Sequence, residues 1–249
     1  MALLNLPIEV LLEFAVFLAE SDVNSLCQVN WRLYDILNPY MYRNNARNFG
    51  SSALIWASGN GNSATVKRVF ETATAQRQSD VKSAFFEALQ NGNTEVIKIL
   101  LEKRSDIDVD AKVDDDRTPL FIAAEYGYAP LVKLLLDTGK VDINANFHQY
   151  GTPLGIAAFN GHVETVRILL DTERADTEAT NRCLETPIYA AATNGREAVI
   201  EIFVKRGVDL EAEYDRVRFP GLTLREALIE TATVHERVGA SAILKLLAA

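Results

Sequence analysis

The chain has 249 residues, of which 48% are hydrophobic and 24% charged, so it can bury a sizeable core and is not of the disordered class. Its formal net charge of −9 disfavours nucleic acid and anionic membranes as partners and favours a basic protein surface. Two cysteines, Cys27 and Cys183, exclude a disulfide framework and a four-cysteine zinc site. We therefore expect a cytoplasmic or nuclear protein.

The first 48 residues form a segment of three short helical patterns. Pro7 opens the first helix, and Ser21 or Asp22 caps the second. Pro7, Glu9 and Glu13 also interrupt the apolar run, which argues against a signal peptide or a membrane span. The apolar side chains of this segment are Val10, Leu11, Phe14 and Leu18 on one helical face, then Leu26, Val29, Trp31 and Leu33. So short a segment makes a poor core by itself, which leaves these side chains available to a partner or to the next repeat.

The residue order of this segment resembles an F-box, which opens with leucine, proline, any residue, glutamate, isoleucine or valine, and two leucines. The matching positions are Leu6, Pro7, Ile8, Glu9, Val10 and Leu11, followed by a later cluster of Leu26, Val29, Trp31 and Leu33. Asn30 departs from the family, which often has cysteine or serine there. The resemblance implies that these residues bind a Skp-type adaptor of a cullin-RING ubiquitin ligase. The alternative is that the helices only cap the repeats that follow.

Three later segments open alike at intervals of 34 residues. They read TPLFIAAEYG from Thr118, TPLGIAAFNG from Thr152 and TPIYAAATNG from Thr186. Two looser copies precede them, SALIWASGNG from Ser52 and SAFFEALQNG from Ser83. A period of this length predicts a repeat architecture.

Each repeat predicts a pair of helices. The threonine supplies an N-cap oxygen, the following proline starts the first helix, and the paired alanines let a neighbouring helix approach closely. A glycine then ends this helix in a left-handed conformation. The second helices read VIKILLEK, LVKLLLDT, VRILLDTE and VIEIFVKR, with Lys98, Lys133, Arg167 and Glu201 on their outer side.

The ends of the second helices carry different residues. Gly139 and Gly207 should stop two of these helices. Glu173 and Arg104 stand at the ends of two others, which we expect to be less regular.

The TPLxxAAxxG opener, the helix pair and connecting stretches such as DINANFHQYG closely resemble ankyrin repeats over residues 51–249. The resemblance implies an all-α solenoid of helix pairs, with about five full repeats and a degenerate C-terminal cap over residues 49–249. Phe121, Gly155 and Tyr189 replace the histidine usual at the fourth position, so the bond from threonine to histidine is missing. The last repeat reads LTLREALIET and then carries an insertion, TATVHERV.

Catalytic signatures are weak, and we expect no catalytic residue, no cofactor and no metal. The three histidines, His148, His162 and His235, are scattered, and each is expected to have a structural or solvated role. Motifs for nucleotide binding, zinc proteolysis and serine hydrolysis are absent from the sequence. Cys183 and His148 could meet across adjacent loops, but a chance approach explains such a pair better than a nucleophile does.

An alternating set of aspartates has the spacing of a calcium loop. Asp106, Asp108 and Asp110 fit that spacing, but Ala111 and Arg117 occupy the positions that need glycine and glutamate. We therefore interpret the stretch as turn-forming.

Loop tips and first helices hold the partner in the ankyrin family, so the resemblance implies candidate binding residues. The tip candidates are Asp115, Asp116, Arg117, His148, Gln149, Tyr150, Asn181, Arg182, Glu185, Arg216 and Arg218. The first-helix candidates are Glu125, Tyr126, Phe159, Asn160, Thr193 and Asn194. Aromatic and arginine side chains are the usual energetic anchors, which favours Tyr126, Tyr150, Phe159 and Arg182.

Together these patterns predict the substrate-recognition subunit of a Skp/cullin/F-box ubiquitin ligase, a monomer apart from its adaptor and an unknown target. The first alternative is a stand-alone ankyrin scaffold with a helical N-terminal cap. The second is an enzyme that uses a concave pocket around Tyr126, Phe159 and Tyr189.

Overall fold

The computed structural model describes residues 52–72, 78–113, 116–147, 150–214 and 221–234. The F-box-like segment lies outside the described residues, as do His148, Gln149, Asp115, Arg216, Arg218 and His235. Helices make up the regular structure of the described ranges, which contain isolated β-bridges but no strand. The chain divides into two compact units between Ile107 and Asp108.

The described residues of the first unit, from Ser52 onward, form two helix pairs. Its helices are α1 (Ser52–Gly59), α2 (Ser63–Thr72), α3 (Gln78–Gln90) and α4 (Thr94–Lys103). Helix α1 packs against α3, and α2 packs against α4. The Nδ2 group of Asn93 joins the pairs, since it donates to the carbonyl oxygens of Ser58 at 2.8 Å and Gly59 at 2.9 Å.

The described residues of the second unit form three helix pairs followed by one more helix. They are α5 (Pro119–Glu125), α6 (Ala129–Asp137), α7 (Pro153–Asn160), α8 (Val163–Asp171), α9 (Pro187–Thr193), α10 (Glu197–Lys205) and α11 (Leu224–Val234). The first helices α5, α7 and α9 pack side by side with α11 after them, and the second helices α6, α8 and α10 form a parallel row. The predicted arrangement of stacked helix pairs is confirmed within this unit.

The threonine caps are confirmed at two of three repeats. The hydroxyls of Thr118 and Thr152 accept from the backbone N–H groups of Phe121 and Gly155, at 3.3 and 3.2 Å. Thr186 makes no such bond, so that prediction is wrong for the third repeat. Its buried hydroxyl lies beside the phenol of Tyr214, which accepts from the backbone N–H of Thr186 at 3.4 Å.

The second helices end in the same way at a glutamate as at two glycines. Gly139 and Gly207 have φ values of 67° and 78°, and Glu173 has a φ of 56°. The backbone N–H of Glu173 donates to Leu170 at 3.0 Å, as that of Gly139 donates to Leu136. The expected irregularity is therefore wrong at Glu173, because the stacked repeats impose the turn on a residue that disfavours it. Arg104 does differ, with an extended backbone at φ −137°.

The residue just before two of the second helices ties neighbouring repeats together. The Nε2 group of His162 donates to the carbonyl oxygen of Glu125 at 2.9 Å, and the Nε group of Arg196 donates to that of Phe159 at 3.1 Å. The structural role predicted for His162 is thus confirmed. In the last repeat, helix α11 continues to Val234, so the start of the predicted insertion is helical.

Candidate partner-binding site

Three hairpin-like tips in the second unit each precede a first helix, α5, α7 or α9. Each is closed by a backbone hydrogen bond between residues four apart, at 2.9, 2.9 and 3.1 Å. The donor and acceptor residues are Val113 and Arg117, Phe147 and Gly151, and Asn181 and Glu185. The tips therefore present equivalent positions, 34 residues apart, in register along the unit.

The exposed large hydrophobic side chains of the described residues all lie on these tips or on first helices. Tyr126 and Phe159 stand on or directly after the first helices, and Val113, Tyr150 and Leu184 stand on the tips. Their exposed fractions run from 36% for Phe159 to 51% for Tyr126. The second helices instead expose charged residues such as Lys133 and Arg167. Apolar surface left in water on one side of a protein marks an interaction surface.

A groove of about 210 Å³ lies within this surface, between the second tip and the third. Tyr150 and Phe159 form exposed parts of its rim, and Gly155, Ile156 and Ala190 contribute apolar walls. Asn181 and Glu185 line its polar side. The remaining lining residues are Gly151, Ala179 and Cys183.

The groove exists because one aromatic pair is missing from the stack. In the repeat before it, the rings of Phe121 and Phe147 meet edge to face at 5.5 Å. In the repeat after it, Tyr189 and Tyr214 stack at 5.0 Å. Gly155 is the register equivalent of Phe121 and Tyr189, which are 1% and 2% exposed.

The second partner is missing as well, because Asn181 stands where Phe147 stands one repeat earlier. Both members of the aromatic pair are therefore replaced at once, by a glycine and a small polar residue. The space that two rings fill in the first case is left open between Gly155 and Asn181.

Asn181 also holds the third tip in shape. Its side-chain oxygen accepts from the backbone N–H groups of Cys183 at 2.8 Å and Glu185 at 3.0 Å. Its Nδ2 group donates to the carboxylate of Glu185 at 3.0 Å. Leu184, at the end of this tip, is 43% exposed and has a φ of 61°. A bulky residue in this conformation is strained, and strain of this kind collects at functional positions.

The structure brings some predicted partner-binding residues to the groove and ties others to the protein itself. Tyr150 and Phe159 line the groove, and Tyr126 is exposed and stacked on Tyr128 at 5.6 Å. Arg182 is exposed on the third tip.

Several polar candidates from the tips and first helices make internal bonds. Arg117 forms a half-buried ion pair with Glu125 at 2.6 Å, and Asn160 donates to the carbonyl oxygen of Glu125 at 2.9 Å. Asn194 donates to the carbonyl oxygen of Ala190 at 2.9 Å. Asp116, at the first tip, accepts from Lys112 at 3.1 Å.

The structure corrects the sequence-based candidates in two places. Of the three residues expected around a concave pocket, Tyr126, Phe159 and Tyr189, the groove includes only Phe159. Tyr189 is absent because its ring is buried and its phenol accepts from the hydroxyl of Thr231 at 2.9 Å. Leu184 was missed. Its register with Asp116 and Tyr150 at the two earlier tips is the signal that finds it.

The aspartate stretch folds as a series of turns. Arg104 forms a 2.7 Å ion pair with Asp106, and this hydrogen bond lowers the pKa of the carboxyl group. Asp108 accepts from the backbone N–H of Asp110 at 3.1 Å, and Asp110 accepts from that of Asp142 at 3.2 Å. Burial raises the pKa of Asp110. The turn-forming interpretation is confirmed.

The described ranges contain no cluster of three histidine, cysteine or acidic side chains placed to hold a metal ion. Cys183 is an exposed free thiol in the groove lining. His148, its suggested neighbour, lies outside the described residues.

Comparison with known families identifies the repeat. A model for ankyrin repeats matches in three copies, over residues 21–112, 54–147 and 120–214. The chain belongs to the ankyrin-repeat family. Ankyrin repeats indicate protein–protein interaction and therefore a protein partner.

Two comparisons gave no match. No F-box model matches residues 1–48 or any other part of the chain. A search of curated proteins likewise found no match.

Among the helices in the described part of the ankyrin protein, none is long and apolar enough to cross a bilayer.

Proposed function

We propose that this ankyrin protein is the substrate-recognition subunit of a Skp/cullin/F-box ubiquitin ligase. Residues 1–48 bind a Skp-type adaptor, and the tips and first helices of the repeats hold the target. The protein makes and breaks no bonds itself and needs no cofactor. It acts by proximity, because a target held beside a charged ubiquitin-conjugating enzyme meets it at a raised effective concentration. Its place of action is the cytoplasm or nucleus.

One observation supports the proposal that the repeats bind a target protein. The exposed large hydrophobic side chains of the described residues, including Tyr126, Tyr150 and Phe159, gather on one set of elements. Residues of this type dominate the binding energy of protein interfaces when a partner covers them. The charged second helices offer no comparable surface within the described ranges.

The sequence order supports the adaptor-binding half of the proposal. Leu6, Pro7 and Leu11 occupy the opening pattern, and Trp31 belongs to the later apolar cluster. A segment of 48 residues makes a poor core by itself, which leaves these side chains available to a partner. An adaptor would cover them.

Co-purification with a Skp-type adaptor tests the proposal. We expect a stable complex with the full chain and none with the double variant Pro7→Ala and Leu11→Ala. The matched control is Lys133→Ala with Arg167→Ala, which changes two exposed residues of the second helices and should leave the complex intact. Equal adaptor binding by the Pro7 and Leu11 variant would contradict the proposal, as would a well-folded chain that forms no complex.

A stand-alone ankyrin scaffold is the second candidate, and one observation favours it. The first ankyrin match begins at residue 21, inside the F-box-like segment. If residues 21–48 belong to a repeat, deletion of residues 1–48 exposes apolar surface and lowers the melting temperature markedly. If they form a separate docking module, the deletion changes the melting temperature little and abolishes adaptor binding.

A further inference from the structure

The groove between the second and third tips has the size of one side chain. Its volume of about 210 Å³ is below that of typical small-molecule sites, which begin near roughly 300 Å³. The neighbouring repeats show what kind of side chain fills the equivalent space. It is a phenyl ring in the repeat of Phe121 and a phenol ring in the repeat of Tyr189.

We propose that the groove beside Gly155 and Asn181 binds an aromatic side chain of the partner, with a lysine or arginine of the same segment on Glu185. This inference rests on the proposed function only in that the ankyrin face holds a protein. The partner's ring takes the place that Phe121 and Tyr189 take in the adjacent repeats, and packs against Ile156 and Ala190.

The rim of the groove favours an aromatic guest over an aliphatic one. Tyr150 and Phe159 present their rings at 41% and 36% exposure, so a third ring can pack edge to face or offset against them. The ring of Tyr150 is itself held, because it stacks on Phe147 at 5.8 Å. A rim that is already ordered loses little conformational entropy when the partner binds.

Charge complementarity identifies the neighbouring residue of the partner. Among the described residues that line the groove, Glu185 alone carries a charge. A carboxylate has several lone pairs, so it can accept from a lysine or arginine in addition to Asn181, which donates to it at 3.0 Å. The net charge of −9 on the whole chain steers a basic segment in the same direction.

The groove also continues the surface assigned to the target. Phe159 and Tyr150 belong both to its lining and to the row of exposed hydrophobic side chains that runs from Tyr126 to Leu184. A segment that crosses the tips therefore passes directly over the opening.

A displayed library of random dodecapeptides, selected on the immobilised full chain, tests the inference. We expect the enriched peptides to share an aromatic residue with a lysine or arginine within two positions. Synthetic copies are then titrated by fluorescence anisotropy against the wild type and three variants. Gly155→Tyr fills the groove with its own ring and should therefore weaken binding at least ten-fold. We expect this variant to fold, because a Cβ at Gly155 would meet only ordinary contacts, at 3.6 Å to the carbonyl oxygen of Tyr150 and 3.7 Å to the hydroxyl of Thr152.

Two charge variants separate the parts of the proposal. Glu185→Gln keeps an oxygen for Asn181 and should weaken these peptides about ten-fold, because a charge-assisted hydrogen bond is lost. Replacing the basic residue of the peptide by citrulline should have the same effect on the wild type and almost none on Glu185→Gln. Glu164→Gln removes the same charge from helix α8 and should leave affinity unchanged.

Several results would overturn the inference. They are enriched peptides without an aromatic residue, and peptides that bind the folded Gly155→Tyr variant as well as they bind the wild type. If that variant does not fold, Glu185→Gln and the citrulline peptide decide the question. These outcomes differ from a failure of the proposed function. Loss of the adaptor complex removes the ligase role and leaves the groove intact, whereas peptides that bind elsewhere on the tips remove the groove and leave the ligase role intact.

Discussion

The repeats that begin at Thr152 and Thr186 share the same helix pair and differ in what lies between the first helix and the tip. In the later repeat, Tyr189 stacks on Tyr214 and accepts from Thr231, so the space is filled by aromatic side chains. In the earlier repeat, Gly155 leaves that space open to solvent as a groove. The fourth position of the repeat thus belongs to the core in the later repeat, as Tyr189, and to the groove in the earlier repeat, as Gly155.

The comparison shows why a repeat protein can build a binding site without losing its fold. The paired alanines of both first helices are buried, and they pack against the neighbouring helices whatever the fourth position carries. Since each repeat contacts mainly its neighbours, the loss of one aromatic pair is confined to one junction. Comparing equivalent residues of successive repeats at three positions gives three predictions, which follow from the largest expected change in stability to the smallest.

The largest expected effect is at Tyr189. Tyr189→Ala should copy the open space of the Gly155 repeat into the core and lower the free energy of unfolding by about 3 to 5 kcal/mol. Tyr189→Phe keeps the ring, removes the bond from Thr231 and should cost about 1 kcal/mol. Urea denaturation followed by circular dichroism measures both. A cost below about 1 kcal/mol for the alanine variant would mean that the two repeats do not differ in core packing.

A smaller effect is expected at the ends of the second helices, where Gly139, Glu173 and Gly207 are equivalent. Glu173→Gly should raise the free energy of unfolding by about 1 kcal/mol, because glycine adopts the left-handed conformation without the strain of a Cβ. Gly207→Ala is the matched reverse change and should lower it by a similar amount. No atom lies within 4 Å of a Cβ added at Gly207, so the backbone alone is tested. Destabilisation by Glu173→Gly would contradict the account.

The smallest effect is expected at Asp110, whose equivalent one repeat later is Asn144. Both side chains accept from a backbone N–H, of Asp142 and Asp176, and Asn144 also donates to the carbonyl oxygen of Arg174. Desolvation by burial, with repulsion from Asp142 and Asp108, raises the pKa of Asp110. Asp110→Asn should therefore stabilise the protein at pH 7 by a few tenths of a kcal/mol, a small gain because solvent screens a partly exposed group.

The pH dependence of this variant follows from the sign of the shift. A carboxyl group whose pKa is raised on folding favours the folded state when protonated, and that contribution is lost as pH rises through the folded pKa. The advantage of Asp110→Asn should accordingly appear as pH rises above the ordinary value of 3.8 and vanish below it. Thermal melts of both proteins across this range measure the difference. An equal advantage at low pH would show that charge is not its cause.

Local sequence signals were sufficient for the helix pairs. The Thr-Pro openers, the paired alanines and the glycines with positive φ all act within one repeat, so the pattern alone locates them. The lost cap of Thr186 could not be foreseen in this way, because Tyr214 lies 28 residues further along the chain. The left-handed backbone of Glu173 could not be foreseen either, because tertiary packing overrides the preference of a non-glycine residue for negative φ.

The candidate site was foreseen in part. Tyr150 and Phe159 were named from the sequence and line the groove, whereas the internal bonds of Arg117, Asn160 and Asn194 depend on neighbouring elements. The groove arises where two aromatic side chains are missing, so no hydrophobic pattern in the sequence predicts it. It becomes visible only when Gly155 is aligned with its equivalents in the other repeats.

The central claim is that the tips and first helices, and not the second helices, hold the protein partner. Its most direct test compares two double variants in the dodecapeptide selection, Tyr150→Ala with Phe159→Ala and the control Lys133→Ala with Arg167→Ala. We expect the first variant to lose most of the clones that the wild type retains and the second to keep them. Retention by the first variant and loss by the second would contradict the account.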